Sequence, residues 1–203
     1  MKKCTLGIFL VALLILAAAC ASVAPEKPGT IEIQKTGPFT YMRQTSDLAI
    51  VVDVELAQRR TGEAYFPLGI KIANKHLSSV LIDRETLVLV DEAGQVYQMP
   101  DIVELEKKYD KLVQDHKFQS QTGIIGDTIL TSFSYYQKAP SRFFPQVQGG
   151  GYVINSVKLR SFAYIEDMIY FPVPPGGIKG KTLKLRLDVF DLDKPFEILF
   201  PVQ

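Results

Sequence analysis

Apolar residues alternate with polar or small ones along several segments of the chain. Every second position is apolar in residues 48–56, 68–73 and 183–189. This period of two is typical of β-strands that bury one face and expose the other. Residues 86–90 are apolar at nearly every position, so they predict a strand in the middle of a sheet, with both faces buried.

Turn-forming residues separate these segments. Residues 91–94, Asp-Glu-Ala-Gly, predict a hairpin turn into a further strand over residues 95–98. The acidic residues at 166–167 and 191–193 are interpreted as turns, because Asp side chains accept hydrogen bonds from the backbone of a turn. A last strand is predicted over 196–202, and weaker strand candidates lie at 31–34, 156–165 and 168–173.

One segment has a helical period instead. Asp101 follows Pro100, and Glu104 three residues later completes a capping-box pattern, which is typical of a helix start. The apolar stripe of this segment consists of Ile102, Leu105, Tyr109, Leu112 and Val113. We therefore predict a helix over residues 101–117. Because this helix lies among strands, the expected fold is mainly β: an antiparallel β-sandwich with one inserted α-helix.

The middle of the chain also resembles a known class of domain. A strand ending at residues 73–74, a strand at 87–90 and the turn and strand at 91–97 follow one another along the chain. This order resembles that of immunoglobulin-like domains found in bacterial lipoproteins of unknown role. The resemblance implies that the sandwich is immunoglobulin-like.

The N-terminal residues have the features of an export signal. Lys2 and Lys3 form a basic start, and residues 6–19 are an uncharged, mainly apolar run. Cys20 follows this run directly, and the other cysteine, Cys4, lies within the signal itself. After cleavage of the signal the mature chain keeps one cysteine, so no internal disulfide is expected.

The run Ala17-Ala18-Ala19-Cys20 resembles the lipobox of bacterial lipoproteins. In that family a diacylglycerol is attached to the cysteine sulfur, and a dedicated peptidase then cuts before the cysteine. Members usually carry Leu three residues before the cysteine, where this chain has Ala17. The resemblance implies that Cys20 is the lipidation site.

The lipobox resemblance divides the chain into a signal peptide (1–19), a lipidated tether (20–30) and one β-sandwich domain (31–203). Two alternatives remain open at this stage. Residues 5–24 carry no charge and are long enough to span a bilayer uncleaved as a helix. An ordinary signal peptidase could also cut after one of the alanines and release a soluble protein.

The residues after Cys20 bear on the location of the protein. In Gram-negative lipoproteins, Asp directly after the lipidated cysteine tends to retain the protein in the inner membrane. This chain has Ala21 and Ser22 there. The resemblance therefore implies an exported protein, anchored to a membrane by lipid on Cys20, in the outer membrane of a Gram-negative bacterium.

Composition excludes one class of partner. The chain has 203 residues, of which 47% are hydrophobic, so it can bury a core without disulfides. Loss of Lys2 and Lys3 with the signal changes the formal net charge from +1 to −1. A near-neutral domain lacks the positive surface of nucleic-acid-binding proteins, so no nucleic-acid partner is expected.

Sequence motifs of known catalytic and metal sites are absent. The two histidines, His76 and His116, form no HExxH arrangement, and the sequence has no GxSxG or SxxK motif. Asp191 and Asp193 supply too few oxygen ligands for a calcium ion. We therefore expect no enzymatic activity, no cofactor and no bound metal, and structural roles for both histidines.

Aromatic residues are concentrated in one part of the chain. Ten of the 21 phenylalanines and tyrosines lie between residues 133 and 171. Those in predicted strands, such as Phe162 and Tyr164, are expected in the core, since Phe and Tyr favour strands. Four others lie among Ser, Gln, Lys, Pro and Arg residues and are the predicted partner-binding residues: Tyr135, Tyr136, Phe143 and Phe144.

These observations favour one function over two others. The favoured function is a membrane-anchored envelope lipoprotein with a non-enzymatic binding or assembly role and another envelope protein as its partner. A glycan or small-ligand binder is the first alternative, because exposed tyrosines also bind glycans. An enzyme that hydrolyses envelope polymers is the second, and the missing catalytic motifs count against it.

Overall fold

The computed structural model describes residues 33–122, 135–146 and 152–203. These residues belong to one unit that spans Ile31–Gln203. The predictions made for the signal, the tether and Cys20 lie outside the described residues.

The described ranges contain twelve strands and three helices. The strands are β1 (Gln34–Lys35), β2 (Thr40–Gln44), β3 (Leu48–Asp53), β4 (Tyr65–Asn74), β5 (Ser79–Asp83), β6 (Leu87–Val90), β7 (Val96–Tyr97), β8 (Gln137–Lys138), β9 (Ser156–Arg160), β10 (Ala163–Pro172), β11 (Thr182–Leu187) and β12 (Phe196–Pro201). The helices are α1 (Glu55–Arg59), α2 (Ile102–Lys108) and α3 (Leu112–Thr122).

The strands form two large sheets and one small sheet. The first has the order β1-β2-β3-β4-β10-β8 and the second the order β12-β11-β6-β7, while β5 pairs with β9. Every pairing is antiparallel except the short one between β10 and β8. The facing sides of the two large sheets share one apolar core, to which Ile70 and Leu185 both belong. The predicted mainly β, antiparallel β-sandwich is confirmed, and its immunoglobulin-like character stays a prediction.

The predicted middle strand and its hairpin are confirmed. Strand β6 lies between β11 and β7, and all four of its residues are buried. The carboxylate of Asp91 accepts hydrogen bonds from the backbone N–H groups of Ala93 and Gln95, both at 2.9 Å. Gly94 completes the turn with a φ of +82°, a conformation that costs little only for glycine.

The six-stranded sheet departs from the prediction of one exposed face. All ten residues of β4 are buried, including Lys71, which is 1% exposed. The Lys71 ammonium lies 5.0 Å from the centre of the Tyr164 ring and 3.8 Å from the Glu166 carboxylate. A second apolar cluster on this face comprises Met42, Ala49, Val51 and Ala73. The alternation of apolar and polar residues therefore predicts this strand correctly, but its prediction that one face of the strand is exposed is wrong.

Two turn and strand predictions are corrected. Glu166 and Asp167 do not form a hairpin turn, because they lie within β10, which pairs with β4 along its whole length. The Asp167 carboxylate is buried with two backbone N–H groups as partners, so the strand can hold it in its interior. The strand predicted over 48–56 ends at Asp53, whose carboxylate accepts the N–H of Glu55 and starts α1.

The predicted single helix over residues 101–117 is in fact two helices. Asp101 caps α2 as predicted, because its side chain accepts the Val103 N–H at 2.8 Å. The chain becomes extended at Tyr109, where φ is −137° and ψ is 111°, before α3 begins. Tyr109 is buried, and its ring packs on those of Tyr65 and Tyr170. The break between the two helices thus lets the Tyr109 ring pack against residues of the six-stranded sheet.

A buried ion pair fixes this helical region to the sandwich. Asp115 in α3 is fully buried, and its Oδ1 accepts hydrogen bonds from Nε and Nη2 of Arg60 at 2.9 and 2.6 Å. The hydroxyl of Tyr109 donates to the other carboxylate oxygen at 2.5 Å. Burial raises the pKa of Asp115, and the bonds from Tyr109 and Arg60 oppose that shift. Both oxygens of the buried carboxylate therefore have hydrogen-bond donors, which come from two separate segments.

Within the ranges that the structure describes, no helix is both long enough and apolar enough to cross a membrane.

Replacement of Arg60 by Met should destabilise the domain by about 3–5 kcal/mol, because it leaves the buried Asp115 carboxylate without its cation. Urea unfolding of both proteins measures the difference in the free energy of unfolding. The control is Lys108→Met, which breaks an exposed pair between Lys108 and Glu104 and should cost about 1 kcal/mol or less. Equal losses in the two variants would contradict a special role for the Arg60–Asp115 pair.

Candidate functional site

Several chain connections meet at one end of the six-stranded sheet. Leu48, the first residue of β3, pairs with Asn74, the last residue of β4, and Asn74 also pairs with Ala163, the first residue of β10. Gln137, the first residue of β8, pairs with Ala163. The residues just before β8 and β10 and just after β4 are therefore neighbours, although they are far apart in sequence.

These neighbours include an aromatic group, which we call the aromatic surface: His76, Tyr135, Tyr136 and Phe162. The centre of the Phe162 ring lies 5.8 Å from that of Tyr136 and 5.7 Å from that of His76. Tyr135 is 95% exposed and Phe162 is 53% exposed. Tilted and edge-on ring contacts of this kind stabilise aromatic side chains, so Phe162 packs against His76 and Tyr136 while about half of its surface stays exposed.

The backbone of Phe162 is strained. Its φ is +57°, and among the residues that the structure describes it is the one non-glycine residue with a positive φ. Such a conformation is costly for a bulky side chain and is found where the surroundings enforce it. Here the Phe162 N–H donates to the Asn74 carbonyl at 2.8 Å, and the Phe162 carbonyl accepts from the Gln137 N–H at 2.9 Å. The hydrogen bonds of the sheet thus hold a large ring outward.

The structure separates the four predicted partner-binding residues. Tyr135 and Tyr136 belong to the aromatic surface, whereas Phe143 and Phe144 are buried in the core. The prediction that Phe143 and Phe144 contact a partner is therefore corrected. The Phe144 ring packs on Tyr170, with 5.2 Å between ring centres. The polar neighbours in sequence were misleading, because the segment lies along β10 and turns its rings inward.

Phe162 was predicted to lie in the core and is instead exposed at a turn. The turn joins β9 to β10. It interrupts the single strand that the sequence predicted over residues 156–165. It contains Ser161 and Phe162 and no glycine, proline or asparagine, so Ser161 is its one local turn signal. The Ser161 hydroxyl stabilises it by donating to the Leu77 carbonyl at 2.6 Å. Only the pairing of distant strands reveals this turn.

A polar cleft lies beside the aromatic surface, between α3 and the edge of β10. Its volume is about 510 Å³. The side chains that line it include His116, Gln119, Lys138, Arg142, Glu166 and Asp167. Both histidines are expected from sequence to have structural roles. His116 lines this cleft, and His76 belongs to the aromatic surface.

The carboxylates of the cleft already have partners. Glu166 pairs with Lys138 at 3.2 Å. The Asp167 carboxylate accepts the N–H groups of Phe143 at 3.0 Å and of Met168 at 2.8 Å. Burial raises the pKa of Asp167 to about 6, and these hydrogen bonds oppose the shift. The two acids are therefore held by structural contacts on adjacent positions of one strand.

His116 is the unusual member of the cleft. Its Nε2 atom is buried and has no hydrogen-bond partner among the described residues. Burial lowers the pKa of His116, although the charge of Asp115 acts in the opposite direction. Within the described ranges, no group of three or more His, Cys, Asp or Glu side chains is placed to hold a metal ion. The cleft therefore offers hydrogen bonds and charge to a ligand.

No protein family and no curated protein matches the chain. Two solved structures resemble it weakly. One is a candidate lipoprotein from Bacillus subtilis subsp. subtilis str. 168, with a TM-score of 0.38 and 9% identity; the match covers 79% of this chain and 38% of that one. The other is a DUF4426 family protein from Pseudomonas aeruginosa, with a TM-score of 0.29 and 9% identity, covering 80% and 93%. This chain spans 38% of the Bacillus protein, and scores this low assign no family and no activity.

The strain at Phe162 can be measured with two small substitutions. Phe162→Gly and Phe162→Ala both remove the ring, but only glycine adopts a positive φ without steric cost. Phe162→Gly should therefore be more stable than Phe162→Ala by about 1 kcal/mol. Chemical unfolding of the two variants gives the difference. A Phe162→Ala variant as stable as Phe162→Gly would mean that the backbone stores no strain.

Proposed function

We propose that the chain is an exported lipoprotein, anchored to a membrane by lipid on Cys20, whose domain has a non-enzymatic binding or assembly role. The observation that carries the proposal is the position of Cys20, directly after an apolar run that follows Lys2 and Lys3. Small residues before the cysteine fit the cleft of a signal peptidase. In the mature chain Cys20 is the only thiol, so lipid attachment has a single possible site.

The tether sets the distance between the anchor and the domain. The first described strand begins at Gln34, so residues 21–33 connect it to Cys20. Even if fully extended, this segment reaches about 45 Å. The start of the domain therefore lies within about 45 Å of the membrane surface. The sequence after Cys20 favours the outer membrane of a Gram-negative bacterium as its location.

The arrangement of the polar groups supports binding rather than catalysis. Most glycoside hydrolases use two carboxylates that face each other across the substrate. Glu166 and Asp167 are consecutive residues of one strand, and each is occupied by contacts within the protein. The partner that we propose is another component of the envelope, a protein in the first instance.

Replacement of Cys20 by Ser tests the anchor. The wild-type chain should fractionate with membranes, and its intact mass should show cleavage before Cys20 and an added diacylglyceryl group. Cys20→Ser should remain unprocessed or become soluble, because it lacks the thiol that accepts the lipid. The control is Cys4→Ser, which alters the other cysteine within the signal and should be lipidated normally. A Cys20→Ser protein that stays on membranes at its mature size contradicts the proposal.

A second candidate function is the binding of a small polar ligand, such as an envelope glycan, in the cleft. The specific observation is the convergence of Gln119, Arg142 and His116 on one cavity, with the buried Nε2 of His116 lacking a partner among the described residues. Hydroxyl and amide groups of a sugar could satisfy such donors and acceptors.

N-Acetylglucosamine is a direct probe of this second candidate. In a titration followed by amide NMR spectra, it should shift the resonances of cleft residues, with weak affinity. Arg142→Gln should reduce that affinity at least tenfold, since it removes a charged donor. The control is Gln95→Ala, in the exposed hairpin between β6 and β7, which should bind as wild type. Shifts that are absent, or equal in both variants, exclude the cleft as a site for this sugar.

A further inference from the structure

The chain joins the six-stranded sheet at the same end that carries the aromatic surface. In β1, Gln34 pairs with Met42 and Lys35 with Tyr41, so β1 is antiparallel to β2. Ile33, the first described residue, therefore lies toward the end at which β2 finishes, at Gln44. That is also the end at which β4 finishes and β10 begins. The point at which the described chain begins and the aromatic surface consequently share one end of the sheet.

The aromatic surface has the chemistry of a membrane interface. Tyr rings, which combine an apolar body with a polar hydroxyl, concentrate at the level of lipid headgroups, and exposed Phe rings bury themselves at the boundary between headgroups and acyl chains. Phe162 and Tyr135 are exposed, and backbone hydrogen bonds on either side of Phe162 fix its backbone conformation. An exposed ring on a backbone with positive φ is a feature that the fold maintains at a cost.

Charged residues at the same end are mainly basic. Arg160, two residues before Phe162, is exposed at the end of β9, and Lys75 follows the end of β4, where its ammonium donates to the Thr45 carbonyl. Asp47 is the acidic residue of the neighbouring turn. Cations close to exposed aromatic rings are attracted to anionic headgroups.

We propose that this end of the domain docks on the lipid surface that holds the anchor, with Phe162, Tyr136 and Tyr135 at headgroup level. The inference rests on the proposed lipidation of Cys20. A lipid surface is the occupant because the described chain begins at this end of the sheet, and the residues between Cys20 and Gln34 reach about 45 Å at most. The domain is then held in one orientation, and the opposite end of the sheet, with α2, faces away from the bilayer.

Tryptophan fluorescence tests this orientation directly, since the chain contains no tryptophan. Phe162→Trp places a probe in the aromatic surface. Val103→Trp is the matched control, because Val103 is 72% exposed in α2, whose Glu104 accepts a hydrogen bond from Tyr65 at the other end of β4. The ten residues of β4 separate its two ends by about 30 Å, well beyond contact with the same lipids.

The full lipidated chain is reconstituted in vesicles of phosphatidylcholine and phosphatidylglycerol with brominated acyl chains. Bromine should quench most of the fluorescence of Phe162→Trp and little of that of Val103→Trp. Equal quenching of both variants, or none of Phe162→Trp, overturns the proposal. Tyr135→Trp serves as the second probe, in case melting or circular dichroism shows that Phe162→Trp does not fold.

The intact mass of the same samples separates this inference from the proposed function. Lipid present on Cys20 without quenching of Phe162→Trp would leave the anchor standing and overturn the docking. Absence of lipid on Cys20 would overturn both. The fluorescence of Phe162→Trp can also be shielded from a water-soluble quencher in native membranes and yet not be quenched by brominated lipid in vesicles. In that case the occupant of the aromatic surface is a protein, and the lipid proposal is wrong.

Discussion

The ladder between β4 and β10 is the interaction on which the rest of the structure depends. It runs without interruption from the Asn74–Ala163 pair to the Tyr65–Pro172 pair, and both of its faces are buried for most of that length. One face supplies the sandwich core with residues such as Ile70 and Ile165. The other supports the helical region, since Tyr170 packs on Tyr109 and Phe144. Full burial of each such side chain contributes about 1.5–3 kcal/mol.

The edge of β10 that faces away from β4 accounts for the position of residues 139–143. Beyond its short pairing with β8, the strand would expose unpaired backbone groups, which is a risk for any sheet edge. Residues 139–143 cover that edge: the Ala139 N–H donates to the Tyr164 carbonyl, and the Ser141 hydroxyl donates to the Glu166 carbonyl. Asp167 then fixes Phe143 through its backbone N–H. The polar cleft forms beside this covering segment, so edge protection and the candidate ligand site arise from the same residues.

The aromatic surface follows from the register in which β4 and β10 pair. Because β4 and β10 pair up to Asn74, the chain must reverse directly before Ala163, and Phe162 occupies the position that needs a positive φ. The same register places the β2–β3 turn and the start of β1 at this end. Phe162, the segment with Tyr135 and Tyr136, and the start of the described chain therefore lie at one end of the sheet, although they are far apart in sequence. Exposed aromatic residues that lie together are a candidate interaction surface.

The sequence alone determined the class of the fold and its local signals. Period-two alternation identified the main strands, Asp91 and Gly94 identified a hairpin, and Asp101 identified a helix start, because each depends on hydrogen bonds and burial within a few residues. The lipobox-like Cys20 is likewise a local pattern, and it carries the proposed anchor.

Tertiary structure decided everything that depends on distant partners. The sequence could not show that Lys71 is buried, since this follows from Tyr164 and Glu166 on a strand about ninety residues away. It assigned Phe144 to a partner surface and Phe162 to the core, whereas Phe144 is buried and Phe162 is exposed at a turn. At the break between α2 and α3, the Tyr109 hydroxyl binds Asp115, the ion-pair partner of the distant Arg60. In each case strand pairing or a buried charge outweighs local preference, because long-range burial involves larger free energies than the propensity of any single residue.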